Sequence, residues 1–189
     1  GSVTLANACA EAGVARFIFM SSVKAAGERT RDWPLNSKTP PTPEDAYGRS
    51  KLAGEKRLAN VANQTGLSIV ILRPTFVYGW PASGNFKTVL NALRHGIPLP
   101  LSAIKNRRDM IYVGNLADAV RAALSAPALG LGPYFLSDGT PVSTPELFRK
   151  AGEAFANPAR LFYLPIWMLK MIGATTGRAG MIERLSENL

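Results

Sequence analysis

Tyr47 and Lys51 stand four residues apart in the stretch Tyr47-Gly48-Arg49-Ser50-Lys51. On a helix that spacing puts both side chains on one face, a turn apart. An ammonium held near a phenol favours the phenolate, and such a pair is a suitable general base toward an alcohol. The same spacing also arises on a solvated helix surface, so the pair needs support from its surroundings. Upstream, the apolar run from Ala15 to Met20 ends in Ser21 and Ser22. A serine at the C-terminal end of a buried parallel strand sits on the edge where open α/β sheets bind ligands.

Positioning these groups takes a strand for the serines and a helix for the tyrosine and lysine. The pattern predicts a helix over 2–13, with Val3, Ala6, Cys9 and Ala10 on one face and Gly13 as its stop. A continuous apolar strand follows over 15–20, as a buried parallel sheet requires. Residues 23–46 are polar and rich in proline and read as a loop. The helix carrying Tyr47 and Lys51 runs to about Gln64, Gly66 ends it, and Leu67 to Leu72 forms the next strand, closed by Arg73-Pro74. Further helices are expected from Asn85 to His95, from an N-cap at Asn115 with Asp118 as a partial capping box, and from Thr144-Pro145-Glu146. Tyr134 to Leu136 reads as a short strand, Leu161 to Gly173 as an apolar helix and Met181 to Leu185 as an amphipathic one.

With 189 residues, 47% hydrophobic and 19% charged, the chain can bury a sizeable core as one or two domains. Its net charge of +9 fits an anionic partner of some kind. The cations are scattered, and the one cluster, Lys105 to Arg108, has no aromatic platform beside it, so nucleic acid is not expected. A phosphorylated substrate would suffice. Cys9 is the single cysteine, which excludes an intrachain disulfide. His95, the single histidine, reads as a surface or helix-capping residue before Gly96. The longest apolar run is interrupted by Pro165 and Lys170 and too short to span a bilayer. A cytoplasmic location is the default, and no metal is expected. The apolar helix with Trp167 fits core packing or peripheral contact with a membrane surface.

Taken together, the strand ending in Ser21-Ser22, Tyr-x-x-x-Lys with Ser50 and Glu55 around the lysine, and Leu72-Arg73-Pro74-Thr75-Phe76-Val77-Tyr78-Gly79 resemble the extended short-chain dehydrogenase/reductase superfamily. Within it the chain is similar to the nucleotide-sugar epimerase/dehydratase family. The resemblance implies an α/β fold: the C-terminal part of a Rossmann-type parallel sheet sandwich with a small mixed α/β substrate-binding domain. Residues 1–79 would be the second half of the NAD-binding domain, 80–110 a substrate-domain segment, 111–130 a return to the first domain, and 131–189 the rest of the substrate domain. The G-x-x-G-x-x-G fingerprint and the acidic residue that reads the ribose are not in the sequence, which reads as lacking the first βαβ unit.

What the resemblance implies for the site follows residue by residue. Ser22, Tyr47 and Lys51 would be catalytic: Tyr47 the base, Lys51 the ligand of the nicotinamide ribose, Ser22 a hydrogen-bond partner of the sugar oxygen. Ser21, Tyr47, Lys51, Arg73 and Pro74 would border the cofactor, NAD. Ser22, Phe76, Asn85, Leu99 and Arg108 would meet the substrate. Phe76 stands where many relatives have asparagine and makes that contact apolar. Asn85 fits a diphosphate contact or a helix N-cap. The segment around Leu99 fits a uracil-binding backbone or a buried edge. Arg108 fits a bidentate phosphate ligand or an ion pair with Asp109. Val23-Lys24 lacks the Asp-Glu pair of sugar dehydratases, which favours epimerisation at C4 of a UDP-hexose or UDP-N-acetylhexosamine, in surface polysaccharide assembly. The alternatives are a ketone reductase using NAD(P)H and a non-catalytic nucleotide-binding fragment. In the family, helices like 2–13 and 47–64 commonly pair into a homodimer.

Overall fold

The computed structural model describes residues 1–30, 34–81, 84–127, 129–186 and 188. Its strands are β1 (Arg16–Met20), β2 (Ser68–Pro74), β3 (Phe76–Tyr78), β4 (Met110–Tyr112) and β5 (Tyr134–Leu136). The helices are α1 (Ser2–Glu11), α2 (Ala46–Thr65), α3 (Gly84–Arg94), α4 (Val113–Ser125), α5 (Thr144–Ala154), α6 (Ile166–Thr175) and α7 (Ala179–Ser186), with a 3-10 turn at Val23–Ala25. The chain divides into two compact units, Gly1–Tyr78 with Met110–Gly139, and Gly79–Asp109 with Thr140–Leu189.

In the first unit a parallel sheet runs β1-β2-β5, and β3 and β4 form a parallel pair. Arg16 lies opposite Ser68 and Met20 opposite Leu72, so β1 stops two residues before the end of β2 and both strands run toward the same edge. One face of this sheet packs on α1 and α2 through Ala6, Phe19, Leu58, Val61, Ile69 and Ile71. Val70 and Leu72, which alternate with those strand residues, pack on Ala123 of α4. Covering both faces is what lets β2 be apolar almost throughout. Gly66, at φ +73°, ends α2 in the left-handed conformation that glycine adopts without a steric penalty. Arg16 ties the sheet to α4: its guanidinium donates to the carbonyls of Ala123 (2.6 Å) and Ala126, a cation at a helix C-terminus.

Several boundaries differ from those read in the sequence. β2 continues through Arg73 and Pro74, because β5 pairs alongside them. That pairing also puts 131–139 in the first unit, not with the rest of 131–189. α4 starts at Val113, and Asn115 lies inside its first turn instead of capping it; the amide of Asn115 donates to Asp138 at 2.8 Å. Asp138 also receives the Tyr78 hydroxyl at 2.9 Å and the Tyr112 N–H at 3.1 Å.

The second unit has its own core of Val89, Leu93, Leu101, Ile104, Phe148, Leu169 and Ile182. The apolar helix begins only at Ile166, after Pro165, since Leu161 is drawn into a parallel bridge with Leu99. Ser143 caps α5, with Pro145 in its first turn. Asn106 and Thr144 are buried and hydrogen-bonded to each other, and both donate to the Leu185 carbonyl, which fastens the end of α7.

Candidate active site

The candidate site lies in the first unit, where the C-terminal ends of β1 and β2 meet the first turns of α2. Asp45 caps α2: its Oδ1 accepts the Gly48 N–H at 2.6 Å, satisfying a donor that the first helical turn leaves free. Its other oxygen accepts from Lys24 Nζ at 2.7 Å, and Lys24 also reaches Glu28 at 3.2 Å. Burial opposes the charge on both Lys24 and Asp45. The bonds between them outweigh it, so the Lys24 pKa lies above its ordinary value and that of Asp45, aided by the Gly48 N–H, below. The 3-10 turn is thereby latched to the helix start. Gly48 makes the fit possible, since a Cβ there would collide with the Lys24 carbonyl oxygen.

Ser22 is the N-cap of that turn, with its hydroxyl accepting from the Lys24 N–H at 3.3 Å. Tyr47, in the first turn of α2, is 51% exposed, and its hydroxyl has no hydrogen-bond partner among the described residues. One turn on, Lys51 Nζ donates to the Met20 carbonyl at 2.8 Å and lies 5.6 Å from the Tyr47 ring centroid and 5.3 Å from that of Phe19. Ser22, Tyr47 and Lys51 are thus carried on elements joined by direct bonds. Of its three donors the ammonium uses one on the described residues, which leaves two for a hydroxylated ligand.

A turn further along the same face, Glu55 is buried, at 5% exposed. It accepts Arg73 Nε at 2.9 Å and Nη2 at 2.6 Å, and also the hydroxyl of Ser21. Arg73 is itself buried and its guanidinium lies 5.4 Å from the Phe135 ring centroid. Ser21 and Arg73, expected beside the cofactor, both bond Glu55, where a buried carboxylate and a buried guanidinium neutralise each other. Pro74 is buried in β2 opposite Leu136, and Phe76 is half-buried in β3 opposite Met110. Sequence reasoning noticed Glu55 after the lysine but missed its work. The available signal was its place at i+8 from Tyr47, on the face that packs inward.

The remaining substrate candidates belong to the second unit. Arg108 is half-buried, with its main chain paired to Val142 in both directions at 3.0 Å. The Leu99 N–H donates to Arg160 O at 2.9 Å and its carbonyl accepts from Phe162 at 3.0 Å. Leu99 is therefore a paired edge residue, with both its N–H and its carbonyl engaged by main chain. Asn85 falls within α3, but its side chain lies outside the described residues. The His95 Nδ1–H donates to the Asn91 carbonyl at 2.7 Å, at the end of α3.

A sequence model described as the NAD dependent epimerase/dehydratase family matches residues 1–134. The chain belongs to that family. A UDP-glucose 4-epimerase from Vibrio cholerae is 36% identical over 191 residues, covering 100% of this chain and 58% of that protein. Among solved structures, UDP-N-acetylglucosamine 4-epimerase from Bacillus cereus superposes with a TM-score of 0.75 at 25% identity, over 85% of this chain and 55% of the other. Thermus thermophilus UDP-glucose 4-epimerase, in complex with NAD, gives 0.71 at 26% identity over 86% and 55%. The chain spans little more than half the length of these relatives. Family membership accounts for the parallel sheet with helices on both faces and makes NAD the cofactor to test against the residues present. They fit it: among the described residues Lys51 keeps donors suited to a ribose, and Tyr47 offers an unpaired hydroxyl on the same helical face.

Proposed function

We propose that the full protein is an NAD-dependent nucleotide-sugar epimerase acting at C4 of a UDP-hexose or UDP-N-acetylhexosamine, through a 4-keto sugar. The observation that carries this reading is the Tyr47 hydroxyl, exposed and unpaired among the described residues, on the first turn of α2, which the Lys24–Asp45 bond latches to the 3-10 turn that Ser22 caps, with Lys51 one turn on. The named activities of the relatives support it.

The chemistry that NAD supplies when bound is reversible hydride transfer. The chain's own residues handle the proton. Tyr47 takes the proton of the sugar hydroxyl and later returns it. Ser22 hydrogen-bonds the same oxygen, and Lys51 holds ribose hydroxyls while its charge offsets that of the phenolate. Ser21, Glu55 and Arg73 fix the strand ends against α2. Arg108, with a planar fork suited to a diphosphate, is the phosphate ligand we assign to the second unit. Lys24 stands where a dehydratase would carry an acid or base, and it is tied to Asp45 and Glu28. That use supports epimerisation over elimination of water.

The test is to incubate the full protein with NAD and UDP-glucose or UDP-N-acetylglucosamine and follow the C4 epimer by proton NMR. Epimer formed with no net change in NADH is the expected result. Net consumption of NADH or NADPH with a ketone, and no epimer, would make the protein a reductase of the same superfamily instead.

A further inference from the structure

We infer that α6 and the segment before it form a docking surface for an anionic lipid bilayer, with the helix lying in the plane of the headgroups. The helix is apolar on two sides, and the second unit uses one of them. Leu169 and Gly173 face α7, where a Cβ on Gly173 would collide with Ile182 and come within 3.3 Å of Ala179. On the other side Trp167 is 63% exposed and Met171 60%. Tyr163, in the approach to the helix, is 72% exposed. Single exposed apolar residues are ordinary, but a run of them with aromatic members marks an interaction face.

Charge selects the partner. From Ala154 to Ile182 the sequence has no acidic residue, while Arg160, Lys170 and Arg178 are all cationic and exposed. Lys170 falls a turn from Trp167 and beside Met171, so apolar contact and positive charge lie on neighbouring parts of one helix. Tryptophan and tyrosine favour the boundary between headgroups and acyl chains, and cations beside them are drawn to anionic lipid. A second copy of this chain would be a poorer occupant, since a two-fold contact would set these cations against their own copies. α6 has ten residues, and no helix among the described residues is long and apolar enough to cross a membrane. The contact is therefore peripheral. This inference does not depend on the proposed reaction.

Flotation tests it. The purified chain is mixed with vesicles of phosphatidylcholine plus phosphatidylglycerol, or of phosphatidylcholine alone, and its native mass is followed by light scattering. The wild-type chain should float with the anionic vesicles only, and release as salt rises from about 0.1 M to about 1 M, where screening shortens from about 10 Å to about 3 Å. Replacing Trp167 and Met171 by serine should weaken partition at least about tenfold. Lys170→Glu should weaken it by about fivefold or more, the effect of one cation near such a surface. Both changes lie at exposed positions, and an unaltered circular dichroism spectrum confirms that each variant folds. Absence of flotation by the wild type, equal flotation by all variants, or a dimer that Trp167→Ser dissociates would overturn the inference.

Discussion

Glu55 is the residue on which the candidate site leans most heavily. It is buried with Arg73, and two parallel hydrogen bonds at 2.9 and 2.6 Å join them. Taking away one partner of such a pair leaves an uncompensated buried charge, which costs about 3–5 kcal/mol. Glu55→Ala should lose stability on that scale in urea unfolding, and a change under about 1 kcal/mol would contradict the assigned role. Asp45 offers a second test, read by pH. Its pKa is lowered in the folded state, so its contribution is present above the unfolded value near ~3.9 and fades as pH falls through the lower folded value. Lys24, raised, contributes below about 10.4 and loses that contribution as pH climbs past its folded value. Asp45→Asn keeps an acceptor for the Gly48 N–H but drops the charge. Its stability deficit should be full near neutral pH and shrink in acid below about pH 4, and a deficit independent of pH would place the effect elsewhere.

Among the elements, the start of α2 decides whether Ser22 and Tyr47 are held together. Alanine favours a helix over glycine by about 1 kcal/mol, so Gly48→Ala would help an isolated helix. Here the added methyl meets the Lys24 carbonyl, and the turn or the helix must shift. The variant should be destabilised by about 1–3 kcal/mol, with faster amide exchange at Val23–Ala25. A stabilised variant would show that the turn is not clamped. How much of this was legible in the sequence follows from the range of each interaction. The helix with Tyr47 and Lys51, its stop at Gly66 and the strand ending in two serines rest on local periodicity and capping, and all are present. The extension of β2 through Pro74 depends on β5, a pairing partner distant in the chain that no local pattern announces. Asn115 misled because its acceptor, Asp138, comes from another strand end. The bonds from Arg73 to Glu55 join residues 18 apart in the chain, a pairing that no local pattern announces either.

At the scale of the molecule, two units each carry a core, and the first alone holds the trio that does chemistry in the proposal. The family follows from the match over 1–134, whereas the particular sugar depends on contacts that differ among relatives of similar fold. Net charge was legible at once and its meaning was not: it is spread over both units, and part of it falls on Lys170 in α6 and on Arg160 and Arg178 on either side of that helix in the sequence. The central claim is that the Tyr47 oxygen moves the sugar proton while the surrounding residues hold it in place. The most direct measurement compares UDP-sugar epimerisation by the full protein and its Tyr47→Phe variant in the presence of NAD, with NAD affinity determined for both. Removing one oxygen should lower kcat by at least about a hundredfold, the usual contribution of a positioned general base, and leave NAD affinity nearly unchanged. Turnover by the variant at the wild-type rate would contradict the account.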